Sequence, residues 1–245
     1  MQFGKPFSFV FEDPDWLKKL AILALLGFAQ LIPVLGSLFM AAVFSGVMID
    51  IMRKVINKQT PLIPNLDISK QFTDGLKVWV IGIVYSLPMI VLGIVIGIIS
   101  ALGGGIGIWG ADNDNVGAAG AAGVIVIILV SCVALIMVLY SLLIAFITPA
   151  FYGRYAQFGT IGSALNFKEV FKTAFKKPVP YLLAFLGVLV VGIIGGIAAS
   201  ILSSIGAIAL GVGALYGMAL ATVWMSLANG HFYGQAYLES TEETM

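Results

Sequence analysis

Charge is what this sequence has least of: 13 lysines and arginines against 12 aspartates and glutamates in 245 residues, a tenth of the chain. A soluble globular protein carries about a quarter of its residues charged, so a water-facing surface of ordinary size cannot be covered from this supply. The deficit is also uneven, since Val78 to Leu102 and Val179 to Ala228 contain no Lys, Arg, Asp or Glu at all. A net charge of +1 lacks the clustered basic excess that binds nucleic acid, and no nucleic acid partner is expected. The single cysteine, Cys132, excludes an internal disulfide; inside an apolar run it reads as a small buried hydrophobe. The single histidine, His231, rules out a zinc site of His ligands or a Cys-His nucleophile pair built from this chain alone. Beside Asn229, Tyr233 and Gln235, it reads as a polar residue where the last helix leaves the membrane.

What the sequence does have is apolar length: 60% of its residues are hydrophobic and the mean hydropathy is +1.05. Lipid must cover such runs, and in lipid the backbone is satisfied only within helices or closed barrels. Near the N-terminus, Phe7 to Phe11 is too short for a signal-peptide core and Glu12, Asp13 and Asp15 follow it, so the first membrane helix is expected to direct insertion. That helix should start with Asp13 as cap, Pro14 at the first helical position and Asp15 at the positive dipole end, with Trp16 at headgroup level. Pro33 and Gly36 interrupt Leu17 to Met52, giving either two short helices or a re-entrant loop; a short spanning hairpin is preferred. Further segments are expected at Leu76 to Ala101, kinked by Pro88, and at Val124 to Ile147. The run from Pro178 to Ala228 should turn at Ser203, Ser204 and Gly206 into a fifth and a sixth helix.

All thirteen cations stand before these hairpins: Lys5, Lys18 and Lys19; Arg53, Lys54, Lys58, Lys70 and Lys77; Arg154, Lys168, Lys172, Lys176 and Lys177. The intervening loops, including Gly103 to Gly123, carry only Asp112 and Asp114. Because Lys and Arg stay on the cytoplasmic side, both termini are expected there, with an even number of crossings. The expected fold is therefore an all-α polytopic transmembrane helix bundle in one membrane domain. It has about six membrane segments as three hairpins, at 14–56, 76–150 and 178–232, and an acidic tail at 239–245.

Phe11-Glu12-Asp13, Phe72-Thr73-Asp74 and Phe167-Lys168-Glu169 each open a lead-in before a hairpin, which leaves both a threefold repeat and coincidence open. In the third lead-in, Phe167, Val170, Phe171, Ala174 and Phe175 share one helical face, and Asn166 with Glu169 has capping-box spacing. Such an amphipathic helix should lie in the inner headgroup layer, with Lys168, Lys172, Lys176 and Lys177 meeting anionic lipid headgroups.

The residues Phe-Glu-Asp-Pro-Asp-Trp-Leu-Lys-Lys-Leu at 11–20, Ile-Pro-Val-Leu-Gly at 32–36 and Phe-Thr-Asp-Gly-Leu-Lys at 72–77 carry a family resemblance. The chain resembles the prokaryotic membrane family named domain of unknown function 4013, mainly over its first hundred residues. The resemblance implies a bacterial or archaeal membrane protein and carries over no catalytic residues.

Motifs with chemical meaning are weak in context. Gly105-Ile-Gly107-Ile-Trp-Gly110 matches a dinucleotide-binding string but lacks the preceding strand, and reads as a flexible loop between membrane helices. Asp112-Asn-Asp114-Asn-Val-Gly117 lacks the closing Glu of a calcium loop and reads as solvated loop. Asp50 is the one acidic residue inside an apolar segment; one helical turn from Arg53 and Lys54, it reads as half of a local surface pair, or as the polar site of a transporter. Small residues recur every four positions at Gly192, Gly196, Ser200 and Ser204 and at Ala209, Gly213, Gly217 and Ala221, the spacing that lets helix backbones approach. Gly93, Gly97 and Ala101 repeat it. The expected function is a non-enzymatic membrane subunit or scaffold packing against lipids, other membrane proteins or itself, with no cofactor and no metal; the alternative is a small transporter or channel.

Overall fold

The computed structural model describes residues 1–32, 34–60, 62–112, 116–208 and 213–242. Asn113, Asp114, Ala209 and the tail beyond Glu242 lie outside them, and with them most of the calcium-like string. Among the described residues there are nine α-helices and no strand. They are α1 (Lys5–Ser8), α2 (Trp16–Leu25), α3 (Leu35–Ile56), α4 (Ile68–Asp112), α5 (Val116–Phe158), α6 (Ile161–Ala164), α7 (Phe167–Lys176), α8 (Pro178–Ile208) and α9 (Gly213–Thr241), with 3-10 turns at Phe9–Glu12 and Leu26–Leu31. Among the described residues four helices are long and apolar enough to cross a membrane: α3, α4, α5 and α8.

Helix α2 begins two residues later than expected. Asp13 does not cap it; its Oδ1 accepts the Asp15 amide at 2.9 Å in a turn ahead of the helix. Ten residues rise only about 15 Å, half of a hydrocarbon core of about 30 Å, so α2 and its following 3-10 turn form a short arm. The second lead-in is not a separate helix either: Phe72, Thr73 and Asp74 are the first turns of α4, which runs on through Pro88. At its far end α4 absorbs Gly105 to Gly110, where a flexible loop was expected. Likewise Ser203, Ser204 and Gly206 do not form a turn but lie inside α8. Their helicity has a physical basis. Away from water a backbone must bond to itself, and the Ser200 and Ser204 hydroxyls are satisfied by carbonyls of their own helix, Gly196 at 2.9 Å and Ser200 at 2.8 Å.

The chain divides into two compact units, residues 1–81 with 146–245, and residues 82–145. In the first unit α9 is central, packing against α8, α3, α2, α1 and α7. Helices α8 and α9 are antiparallel: the Tyr181 hydroxyl meets Ser240 at 3.0 Å, Gly195 faces Met225, and a Cβ at Gly217 would come within 2.8 Å of the Leu202 carbonyl. Helix α3 runs beside α9 in the same direction, with Gly230 against Met48 and Ile51 and Gly234 against Met52 and Val55. Between α3 and α4, Gly46 lies on the Gln71 carbonyl and Gly75 on the Ala42 carbonyl, so no side chain fits at either crossing. Phe9, Val10, Leu23, Val43, Val47, Ile51, Val223 and Leu227 make up the core around the arm.

In the second unit, residues 82–112 of α4 and 116–145 of α5 run antiparallel. Tyr140 donates to the Tyr85 carbonyl at 2.7 Å and Gly103 meets Val126. Val91, Ile94, Ile98, Val124, Ile127 and Leu135 are exposed there. Cys132 is exposed as well, not buried, because it lies on an outward face of α5.

Candidate functional site

Ionisable residues of α3 and α4 meet at the bundle's charged end. Asp50 and Arg53, one turn apart on α3, pair at 3.0 Å. Arg53 also reaches Asp74 of α4 at 2.5 Å, and its guanidinium lies 5.6 Å from the ring centre of Tyr155 on α5. Tyr155 donates to the other Asp74 oxygen at 2.7 Å. Lys70 completes Asp50 at 2.8 Å, and Lys77 stands 3.7 Å from Asp74.

Both carboxylates and Tyr155 are buried. Asp50 therefore differs from the local surface pair expected: α4 crosses over it at Gly46 and Gly75, closing the apolar wall and bringing Lys70 within reach. Nothing in the sequence tied Asp74 or Tyr155 to Asp50, because they are brought from other helices. A hollow of about 630 Å³ opens beside the cluster, lined by Arg53, Asp67, Lys70, Thr73, Asp74 and Lys77. With Asp50 and Asp74 each held by two donors, the arrangement clamps the ends of α3, α4 and α5 together. Among the described residues no group of three His, Cys, Asp or Glu side chains is placed to hold a metal.

The remaining charged ends gather at the same end of this unit. Lys58 pairs with Glu242 at 2.7 Å, Lys177 donates to the Glu239 carbonyl at 3.2 Å, and the N-terminal amine pairs with Glu239. Lys19 holds Asp13 at 2.7 Å. Burial works to raise the Asp13 pKa, but the Lys19 hydrogen bond, the Asp15 amide and the Lys19 charge outweigh it and leave the pKa below its ordinary value.

Helix α7 spans the residues expected, and Asn166 Oδ1 accepts the Glu169 amide at 3.2 Å, the first half of a capping box. Its amphipathic pattern divides three ways. Val170 and Ala174 are buried against protein. Phe175 and Phe167 are exposed, with Phe171 stacked on Phe175 at 6.0 Å between centroids. Lys168, Lys172 and Lys176 point outward, whereas Lys177 is committed to the end of α9 and is not a free headgroup contact.

Of the small-residue stripes, Gly213, Gly217 and Ala221 on α9 face the protein, Gly213 against Gly206 and Gly217 against Leu202. Their expected partners on α8 do not. Gly192 and Gly196 face open space, and Ser200 and Ser204 are exposed; the inner face of α8 is instead Gly187, Val191, Gly195, Leu202 and Gly206. Gly93 and Gly97 also face open space. His231 is buried within the protein, with its ring 4.8 Å from that of Phe9 and no hydrogen-bond partner for Nδ1 among the described residues.

Among the described residues these features define an all-helical protein with four helices of membrane-crossing length and apolarity, and a charged cluster ties the ends of α3, α4 and α5. The chain belongs to the family described as Protein of unknown function (DUF4013), whose profile matches residues 25–204. No curated protein and no solved structure matches it.

Proposed function

We propose that this protein is a non-enzymatic, multi-pass component of a prokaryotic cytoplasmic membrane, a subunit or scaffold that packs against lipids, other membrane proteins or a second copy of itself. One observation carries this reading. The cations and their carboxylates gather at a single end of the first unit, through Arg53 with Asp74, Lys58 with Glu242 and Lys19 with Asp13, while the long helices present apolar outer faces. Charge collected at one end is what a positive-inside protein needs, and apolar walls are what lipid or a membrane partner covers. In this reading the arm with α3, the pair α4 and α5, and the pair α8 and α9 are three hairpins whose charged ends, with both termini, are cytoplasmic. The polar face of α7 then meets anionic headgroups through Lys168, Lys172 and Lys176. Transport with Asp50 as coupling carboxylate is the weaker reading, because Arg53 and Lys70 already hold that carboxylate.

The test is cysteine accessibility in intact cells, with Cys132 first replaced by Ala. A cysteine at Gly105 should react with a membrane-impermeant reagent and one at Gly159 should not until the cells are opened. The reverse pattern overturns the topology. Native mass spectrometry of the gently purified protein then identifies which lipids or proteins stay bound.

A further inference from the structure

A second hollow, of about 280 Å³, lies where the end of α5, the polar flank of α7 and the last turn of α9 meet. Three cations line it, Arg154, Lys172 and Lys176, against one carboxylate, Glu169. Here the cations are under-neutralised, unlike those of the Arg53 cluster: Lys172 stands 3.9 Å from Glu169, and neither Arg154 nor Lys176 pairs with a carboxylate among the described residues. Arg154 is also aimed. Its Nε donates to the Ser163 carbonyl at 2.8 Å and its guanidinium sits 5.3 Å from the ring centre of Phe158, while the Ser163 hydroxyl returns to the Arg154 carbonyl at 3.2 Å. The fork is held by its Nε edge, and its terminal nitrogens have no hydrogen-bond partner among the described residues. Thr173 and Thr241 add hydroxyls to the lining.

We infer that this hollow is a binding site for a phosphate group, with Arg154 as the oriented fork and Lys172 and Lys176 as flanking charges. A planar guanidinium matches phosphate oxygens in pairs, and ammonium groups on flexible stems close around the remaining charge. The volume has room for a headgroup-sized anion. An anionic lipid headgroup and a free phosphate share this chemistry. The inference rests on the headgroup contact of α7 proposed above and deepens it by adding Arg154; Lys168 does not line the hollow.

The test uses the full-length protein in phosphate-free detergent, with two probes, phosphatidylglycerol in mixed micelles and inorganic phosphate. Lys176→Gln and Arg154→Gln should each weaken binding about tenfold, the loss of one charged hydrogen bond. Lys18→Gln, an exposed cation on α2 that does not line the hollow, should cost less than about twofold. Because Arg154 also holds the Ser163 turn, Lys176→Gln carries the test if the Arg154 variant misfolds. Binding of the lipid alone supports a headgroup site, and binding of both probes supports recognition of phosphate from either source. If the wild type binds neither probe, or Lys18→Gln costs as much as Lys176→Gln, the site is overturned. Binding in detergent is independent of topology, so failure here leaves the labelling result standing, and the converse holds.

Discussion

The hydroxyl of Tyr155, near the end of α5, donates to Asp74, in the second turn of α4, at 2.7 Å, while Arg53 of α3 holds the other oxygen of the same carboxylate. Three helix ends are thereby tied through one buried side chain. Tyr155→Phe removes one hydrogen bond to a charged group and should cost about 1.5–3 kcal/mol. Arg53→Met leaves Asp50 and Asp74 buried with fewer counter-charges and should cost more, about 3–5 kcal/mol. Unfolding of the two variants in detergent under the same conditions gives the comparison. An Arg53 variant no less stable than the Tyr155 variant would mean that the guanidinium is dispensable to the cluster.

Helix packing yields a second prediction through the glycines of α8 and α9. A side chain at Gly217 would press on the Leu202 backbone, and one at Gly187 on the Phe232 ring, whereas Gly192 faces open space. Gly217→Leu and Gly187→Leu should each destabilise the bundle by about 1–3 kcal/mol or more, as overpacked interiors do. Gly192→Leu should stay within about 0.5 kcal/mol of the wild type. Thermal unfolding in one detergent separates the groups, and equal losses at Gly192 and Gly217 would refute the register described here.

The pairing of Asp13 with Lys19 gives a pH dependence with a definite sign. The folded pKa of Asp13 lies below its unfolded value, so the carboxylate's contribution is present above about pH 4 and is lost as the pH falls through the folded pKa. Asp13→Asn should therefore be less stable than the wild type at neutral pH, and the gap should narrow on acidification below about pH 4. A gap that stays constant across that range would show that Asp13 acts through its shape and not its charge.

Much of the architecture was legible in the sequence because the bilayer asks simple questions of it. Uncharged runs around Val78 to Leu102 and Val179 to Ala228 became parts of α4, α8 and α9, and the spacing of Asn166 and Glu169 marked the start of α7. Boundaries were less legible. Glycines and serines that end helices in water lie inside them here, as at Gly105, Ser203 and Ser204, since a helix is the cheapest way to satisfy a backbone away from solvent.

The sequence by itself determined the class of structure: too little charge to face water, apolar stretches long enough to cross a membrane, and cations confined to one set of segments. Only the tertiary structure decided which faces meet. Gly195 and Gly196 are neighbours and the four-residue spacing singled out Gly196, yet Gly195 packs on Met225 and Gly196 faces open space. Periodicity could not choose between them, because in lipid the outer face of a helix is as apolar as the inner one. The same holds for charge. Asp50 looked like the partner of residues one turn away, and it became half of a buried cluster only when α4 crossed α3 and set Lys70 beside it and Asp74 beside Arg53.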